Sequence, residues 1–252
     1  MINFIMDNPR PHDMPSSQAH RTTKSTPRLR IWDLPTRLFH WLLAISITGA
    51  LITINIGGAW MDWHVRFGIA SFVLLLFRVM WGLIGPRYAR FSQFLCSPAK
   101  TLAYLRDSKG SRHAGHNPLG AWSVIAMLGL FLYQSSTGLF ANDDVMTQGP
   151  LAQFVSNDTV ALMTRLHGLS EYVLYALIAL HLGAIAFYSF RGEGLVKPMV
   201  TGDAPKHTLV EGTQSARDDW RVRLGALILA ALLMALAWWL IKLAFNAPAS
   251  FT

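Results

Sequence analysis

Residues 163–190 read MTRLHGLSEYVLYALIALHLGAIAFYSF, a run apolar enough to cross a bilayer that nevertheless carries two histidines, His167 and His181, fourteen positions apart. In an α-helix, steps of about 100° bring the second imidazole within about 40° of the first after four turns, so both leave one face. At about 1.5 Å per residue they stand about 21 Å apart, near opposite sides of a hydrocarbon core about 30 Å thick. An ionisable side chain inside a membrane is costly unless it meets a partner or serves a site. One helix offering two imidazoles at two depths suits a pair of stacked haems, provided other helices supply the opposing ligands.

The composition agrees with a membrane setting. Of 252 residues, 52% are hydrophobic and only 14% charged. The apolar residues are clustered, which excludes an ordinary soluble domain. The net charge of +8 lies between the apolar blocks, so it reports membrane topology and not nucleic-acid binding. A single cysteine, Cys96, excludes an internal disulfide framework, covalent CxxCH haem attachment and a Cys-ligated iron–sulfur cluster. Any haem is therefore expected to be non-covalent. Residues 1–30 are polar, with four prolines and no long apolar core; they read as a disordered arm without a cleavable leader.

Five apolar blocks follow, at about 35–56, 64–85, 118–140, 163–190 and 222–245. The first opens at Pro35 and the second is stopped by Pro86. A short amphipathic surface helix is expected around 97–108. The expected architecture is an all-α integral membrane bundle, with four core helices in 31–202, a linker at 203–221 and a fifth, C-terminal span. Lysine and arginine number six in residues 1–39, six in 86–117 and five in 191–221, whereas 57–63 and 141–160 have none and carry Asp62, Asp143, Asp144 and Asp158. The positive-inside rule puts the N-terminus in the cytoplasm and the C-terminus in the periplasm.

That orientation assigns depths. His40, early in the first span, and His181, late in the fourth, lie toward the cytoplasm. His64 and His167 lie toward the periplasm. Hydropathy alone does not require this sorting into pairs, and two pairs suit two six-coordinate haems better than one four-ligand zinc. The competing reading is four unrelated interfacial histidines, each satisfied by a carbonyl or water. His12, His20 and His207 read as solvated, and His113 and His116 are set aside as surface or near-membrane residues.

Four arginines are candidates to meet anionic haem propionates. Arg37 precedes His40 by three residues, Arg66 and Arg165 each lie two from a histidine, and Arg78 is set in the apolar run FVLLLFRVMWG. Snorkelling to lipid headgroups is the alternative for each. Gly49, Gly68, Gly129 and Gly183 either permit close helix approach or leave room for a flat macrocycle. Gln134 and the Ser135–Thr137 run either bond a quinone or bond across helices. Glu171, four residues beyond His167, is read mainly as a helix-end hydrogen-bonding group. No catalytic residue is singled out.

The stretches WDLPTRLFHW (32–41), FRVMWGLIGPRYARF (77–91), RLHGLSEYVLYALIALH (165–181) and GLVKPMVTG (194–202) resemble the bacterial di-haem cytochrome b561 family, which is related to the cytochrome b subunit of membrane-bound nickel–iron hydrogenases. The resemblance spans about residues 31–202. It implies two b-type haems held by histidines of the first, second and fourth helices, here His40, His64, His167 and His181. It also implies electron transfer in the bacterial inner membrane between membrane quinone and a periplasmic partner, either a c-type cytochrome or a hydrogenase-like complex, and it leaves a homodimer open. Two further readings remain at this point. One is a stand-alone quinone oxidoreductase using a small periplasmic donor such as superoxide, and the other is a haem-free transporter or anchor.

Overall fold

The computed structural model describes residues 28–106, 115–145, 147–192, 194–206 and 209–246. In chain order the elements are β1 (Arg28–Arg30), α1 (Leu34–Ile56), α2 (Met61–Ile84), α3 (Phe91–Phe94), α4 (Pro98–Arg106), α5 (Pro118–Gly138), α6 (Asn157–Phe190), α7 (Val196–Thr201), β2 (Asp203–Pro205) and α8 (Trp220–Asn246). Five of these helices, α1, α2, α5, α6 and α8, are long and apolar enough to span a membrane. The expected all-α bundle of four core helices and a fifth is what the chain forms.

Local chemistry sets the helix ends. Asp33 caps α1 by accepting from the Thr36 backbone N–H at 2.9 Å, with proline in the first turn. Asn117 caps α5 in the same way, again followed by proline. The turn between α1 and α2 is tight. Gly57 and Gly58 both take positive φ, 69° and 56°, a conformation that side-chain-bearing residues rarely adopt. Ser156 caps α6, so this helix begins six residues before the apolar run does. Its 34 residues span about 51 Å, longer than a hydrocarbon core, and the polar turns Asn157–Leu162 carry it beyond the apolar zone.

α2 is the centre of the bundle, packed against α1, α5 and α8, while α6 packs along α5. Phe39 and Leu43 of α1, Leu75, Phe77 and Trp81 of α2, Phe131 of α5, Leu174 of α6 and Leu229 of α8 form one core. A smaller cluster around Ile69, Leu139 and Leu240 closes the acidic end of the bundle. Gly49 allows α1 and α2 to approach, since a Cβ there would lie 2.7 Å from the Phe67 ring. Gly68, Gly129 and Gly183 have open space around the same position, and Gly129 and Gly183 lie on exposed helix surface.

The basic end departs from the sequence expectation. Residues 28–30 are not part of a free arm. They pair antiparallel with 203–205 in a two-stranded ribbon, with Leu29 opposite Ala204. Residues 203–221 are likewise fastened to the bundle. Arg30 bridges Asp203 at 2.7 Å and Asp218 at 2.8 Å, and Asp218 also accepts from the Leu34 N–H at 3.1 Å. Three-residue strands carry no readable periodicity, and their pairing links positions far apart in the chain. Residues 1–27 of the expected arm, together with His12, His20, His113 and His207, lie outside the described residues.

Asp33 ties the two central helices together. It is completely buried and accepts from Thr36 N–H, Thr36 Oγ1–H at 2.8 Å and Trp81 Nε1–H of α2 at 3.1 Å. Asp33→Ala removes the acceptor for a buried indole and a helix-start amide. The substitution is expected to destabilise the protein by roughly 1–3 kcal/mol, seen as a lower denaturation midpoint in detergent. An unchanged midpoint would show that the cap and indole find other acceptors.

Candidate functional site

The inward stripe of α6 runs Met163, His167, Ser170, Leu174, Ile178, His181, Ile185 and Tyr188, all buried or half-buried. Both histidines therefore lie on one face, as the fourteen-residue spacing predicts. His167 meets α2: its ring centroid is 6.3 Å from that of His64, and the planes are 85° apart. His181 lies within electrostatic reach of His40 of α1. The structure thus brings the four histidines together in two sets at two depths, His64 with His167 at the acidic end and His40 with His181 nearer the basic end.

The outer pair is held from behind. The Nδ1–H of His64 donates to the Ala50 carbonyl of α1 at 2.9 Å, and that of His167 donates to the Gln134 carbonyl of α5 at 3.0 Å. A backbone carbonyl on one ring nitrogen selects the tautomer whose other nitrogen carries a lone pair, the usual arrangement behind a metal-bound histidine. Two imidazoles on opposite sides of one metal ion, with bonds of about 2 Å, put their centroids roughly 6 Å apart. The 6.3 Å separation fits that geometry. Gln134 Nε2 lies 3.3 Å from His167 Nε2 and 3.1 Å from the His167 carbonyl. If His167 Nε2 held a metal, Gln134 would keep its bond to the His167 carbonyl. Gln134 Oε1 accepts from Ser170, so this glutamine bonds across helices.

At the inner pair the informative atoms are unpartnered ones. Among the described residues, His40 Nδ1 is buried without a hydrogen-bond partner, and so is Arg37 Nε one turn earlier. Buried nitrogens without partners are uncommon, and their presence here fits a site completed by an anionic, metal-bearing group. Arg37 is anchored by Nη1 donating to the Val200 carbonyl at 2.6 Å, beside the Trp41 indole, which donates to Met199.

The other arginines go elsewhere. Arg66 stacks over Phe245 of α8 at 4.1 Å and faces Trp63 at 5.6 Å. Arg78 is only 3% exposed; it donates to the Ala89 carbonyl at 3.1 Å and lies over Phe91 at 4.9 Å. Its partners among the described residues include the Ala89 carbonyl and the Phe91 ring. Arg165 is on an exposed face of α6. Glu171 accepts from the Tyr175 hydroxyl four residues on.

Two residues were not legible as important. A Cβ on Gly138 would stand 2.9 Å from His167 Cε1, so this glycine makes the room in which the ring lies. Nothing in sequence separates it from other helical glycines. His116, set aside on sequence, packs edge-on to Trp32 at 4.8 Å and against Phe94 at 4.7 Å, with Nδ1 buried and unpartnered.

An all-helical membrane bundle with imidazoles gathered at two depths defines a membrane cytochrome of the b type, in which haem is held without covalent attachment. The chain belongs to the prokaryotic cytochrome b561 family, whose family model matches residues 31–202. It is accordingly a multi-pass membrane protein that binds b-type haem and carries electrons across the bilayer. No curated protein matches the chain. α8 lies beyond the matched residues.

Two outcomes test this description. Gly138→Ala is expected to push the His167 ring aside and lower the b-haem absorbance per chain while helical content stays unchanged; full haem content would show that the ring tolerates the added methyl. His116 lies outside the spans, and burial, followed by the nearby Arg78 charge, lowers its pKa from 6.5 to about 3. The unfolded chain gains this proton near pH 6.5 and the folded chain only near 3, so stability is full above the first value and declines toward the second. Melting followed by haem absorbance should show this decline in the wild type and a flatter profile in His116→Gln.

Proposed function

We propose that this chain is a di-haem conduit moving electrons between membrane quinone and a periplasmic redox protein, either a c-type cytochrome or a hydrogenase-like complex. His64 and His167 would hold the outer haem, and His40 and His181 the inner one. The observation that carries this reading is the facing of His64 and His167, 6.3 Å apart, with each Nδ1 proton committed to a backbone carbonyl. Haem held by these two sets of imidazoles would supply reversible one-electron carriers.

The chain's own residues then set the two environments. Ala50 and Gln134 orient the outer imidazoles through their carbonyls, which raises the basicity of the opposite nitrogens. At the inner pair, Arg37 presents Nε to an anionic side group of the cofactor, while the Val200 carbonyl keeps the guanidinium from turning away. Quinone exchanges electrons on the inner side, near His40 and His181. The basic loops put that side in the cytoplasm of a bacterium, with the C-terminus in the periplasm. Residues 31–202 form the haem-binding core and α8 is an added span.

The test is a reduced-minus-oxidised spectrum with haem quantitation on the purified chain and on four single variants, each histidine changed to alanine. Two low-spin b haems per wild-type chain are expected. His64→Ala and His167→Ala should lose one of them, and His40→Ala and His181→Ala the other. A single haem per chain, or loss of the same haem on His40→Ala and His64→Ala, would overturn the assignment.

A further inference from the structure

At the basic end, between the last turn of α2 and the first turn of α8, lies a cavity of about 750 Å³ lined by Arg87, Arg90, Arg217 and Arg221. That volume is within the roughly 300–1,000 Å³ range of small-ligand sites. Half of this wall comes from α8 and the segment before it, beyond the residues that match the family. No acidic residue lines the cavity. Arg87 donates to Gln214 at 2.8 Å and Arg217 pairs with Asp219 at 3.0 Å. Among the described residues, neither Arg90 nor Arg221 has a carboxylate within ion-pair distance. Four exposed arginines line this cavity and a carboxylate neutralises only one of them, so the site calls for an anion.

The remaining wall decides which anion. Trp81, Ile84 and Val222 supply an apolar side formed by the ends of two membrane-spanning helices. Ile84 is 69% exposed and Leu83 beside it 67%. Trp220, 68% exposed at the start of α8, is the kind of residue that marks headgroup depth. A cationic rim at that depth above an exposed apolar flank matches a molecule whose negative charge and hydrocarbon are joined at the membrane surface. A soluble phosphate would satisfy the arginines and leave the apolar flank uncovered.

We infer that this cavity is a binding site for an anionic diacyl phospholipid, with its phosphate held by Arg90 and Arg221 and its acyl chains running down the α2–α8 seam. The site would fasten α8 to the haem-binding core through a lipid, in addition to the direct packing of the two helices.

Native mass spectrometry of the haem-loaded full chain in detergent tests this, by titrating dioleoylphosphatidylglycerol, dioleoylphosphatidylethanolamine and glycerol 3-phosphate separately. Wild type is expected to retain the phosphatidylglycerol selectively. Arg90→Gln/Arg221→Gln should bind it about twentyfold more weakly, roughly fivefold for each lost charge. Lys100→Gln/Lys197→Gln, which removes equal charge from the same end outside the cavity, should leave binding unchanged. Equal retention of the zwitterionic lipid, equal binding of glycerol 3-phosphate, or an equal loss in the lysine variant would each overturn the inference. The three-ligand comparison on wild type decides the matter even where the arginine variant fails to fold.

Discussion

The buried carboxylate of Asp33 sets the relation between α1 and α2 from which the rest of the bundle is built. It caps α1 and, in the same position, accepts from the Trp81 indole of α2. A carboxylate fully removed from water has to be surrounded by donors, and only a narrow range of helix placements satisfies all three of these at once. His40 follows Asp33 by two turns of α1, and Arg78 precedes Trp81 by one turn of α2. The clamp therefore sets the depth of the inner histidine against the central helix. Gly49, further along, lets the two helices close on Phe67. Ala50, next to it, presents its carbonyl to His64.

α6 is held quite differently. It leans on α5 through Gln134, Thr137, Gly138 and Ser170, and most of its surface is turned outward. The helix carrying two of the four histidines is thus positioned by polar contacts around His167, with others at Thr164 and Tyr188 toward its two ends. Such contacts are directional, which suits a residue whose ring orientation matters more than the stability it adds. The inner pair has no comparable support among the described residues, where His40 Nδ1 is buried and unpartnered. The outer imidazoles are preorganised by protein atoms, and the inner site is one whose polar groups a ligand would complete.

The charge at the basic end divides between structure and surface. Arg30 with Asp203 and Asp218, and Arg223 with Asp218, join the start of α1 to the segment ahead of α8. Arg78, buried under Phe91, serves the same consolidation. Arg87, Arg90, Arg217 and Arg221 stay at the rim and present their charge outward. A positive loop that orients a membrane protein during insertion can in this way also become part of a folded layer.

The sequence by itself determined the number of spans, the shared face of His167 and His181, and the sorting of four histidines by depth. These follow from helix pitch and from the alternation of charged and apolar segments, which are properties of the chain taken one stretch at a time. It did not reveal that residues 28–30 form a strand, that Arg66 and Arg78 turn to aromatic and carbonyl partners, or that Gly138 makes space for an imidazole. It also gave no sign that His116 packs against Trp32 and Phe94. Each of these depends on which way a helix is rotated about its own axis and on which distant segment it meets. Only tertiary packing decided them, because a hydrogen bond between α5 and α6, or between Asp33 and Trp81, requires both partners within about 3 Å. Periodicity along one strand of sequence carries no information at that resolution.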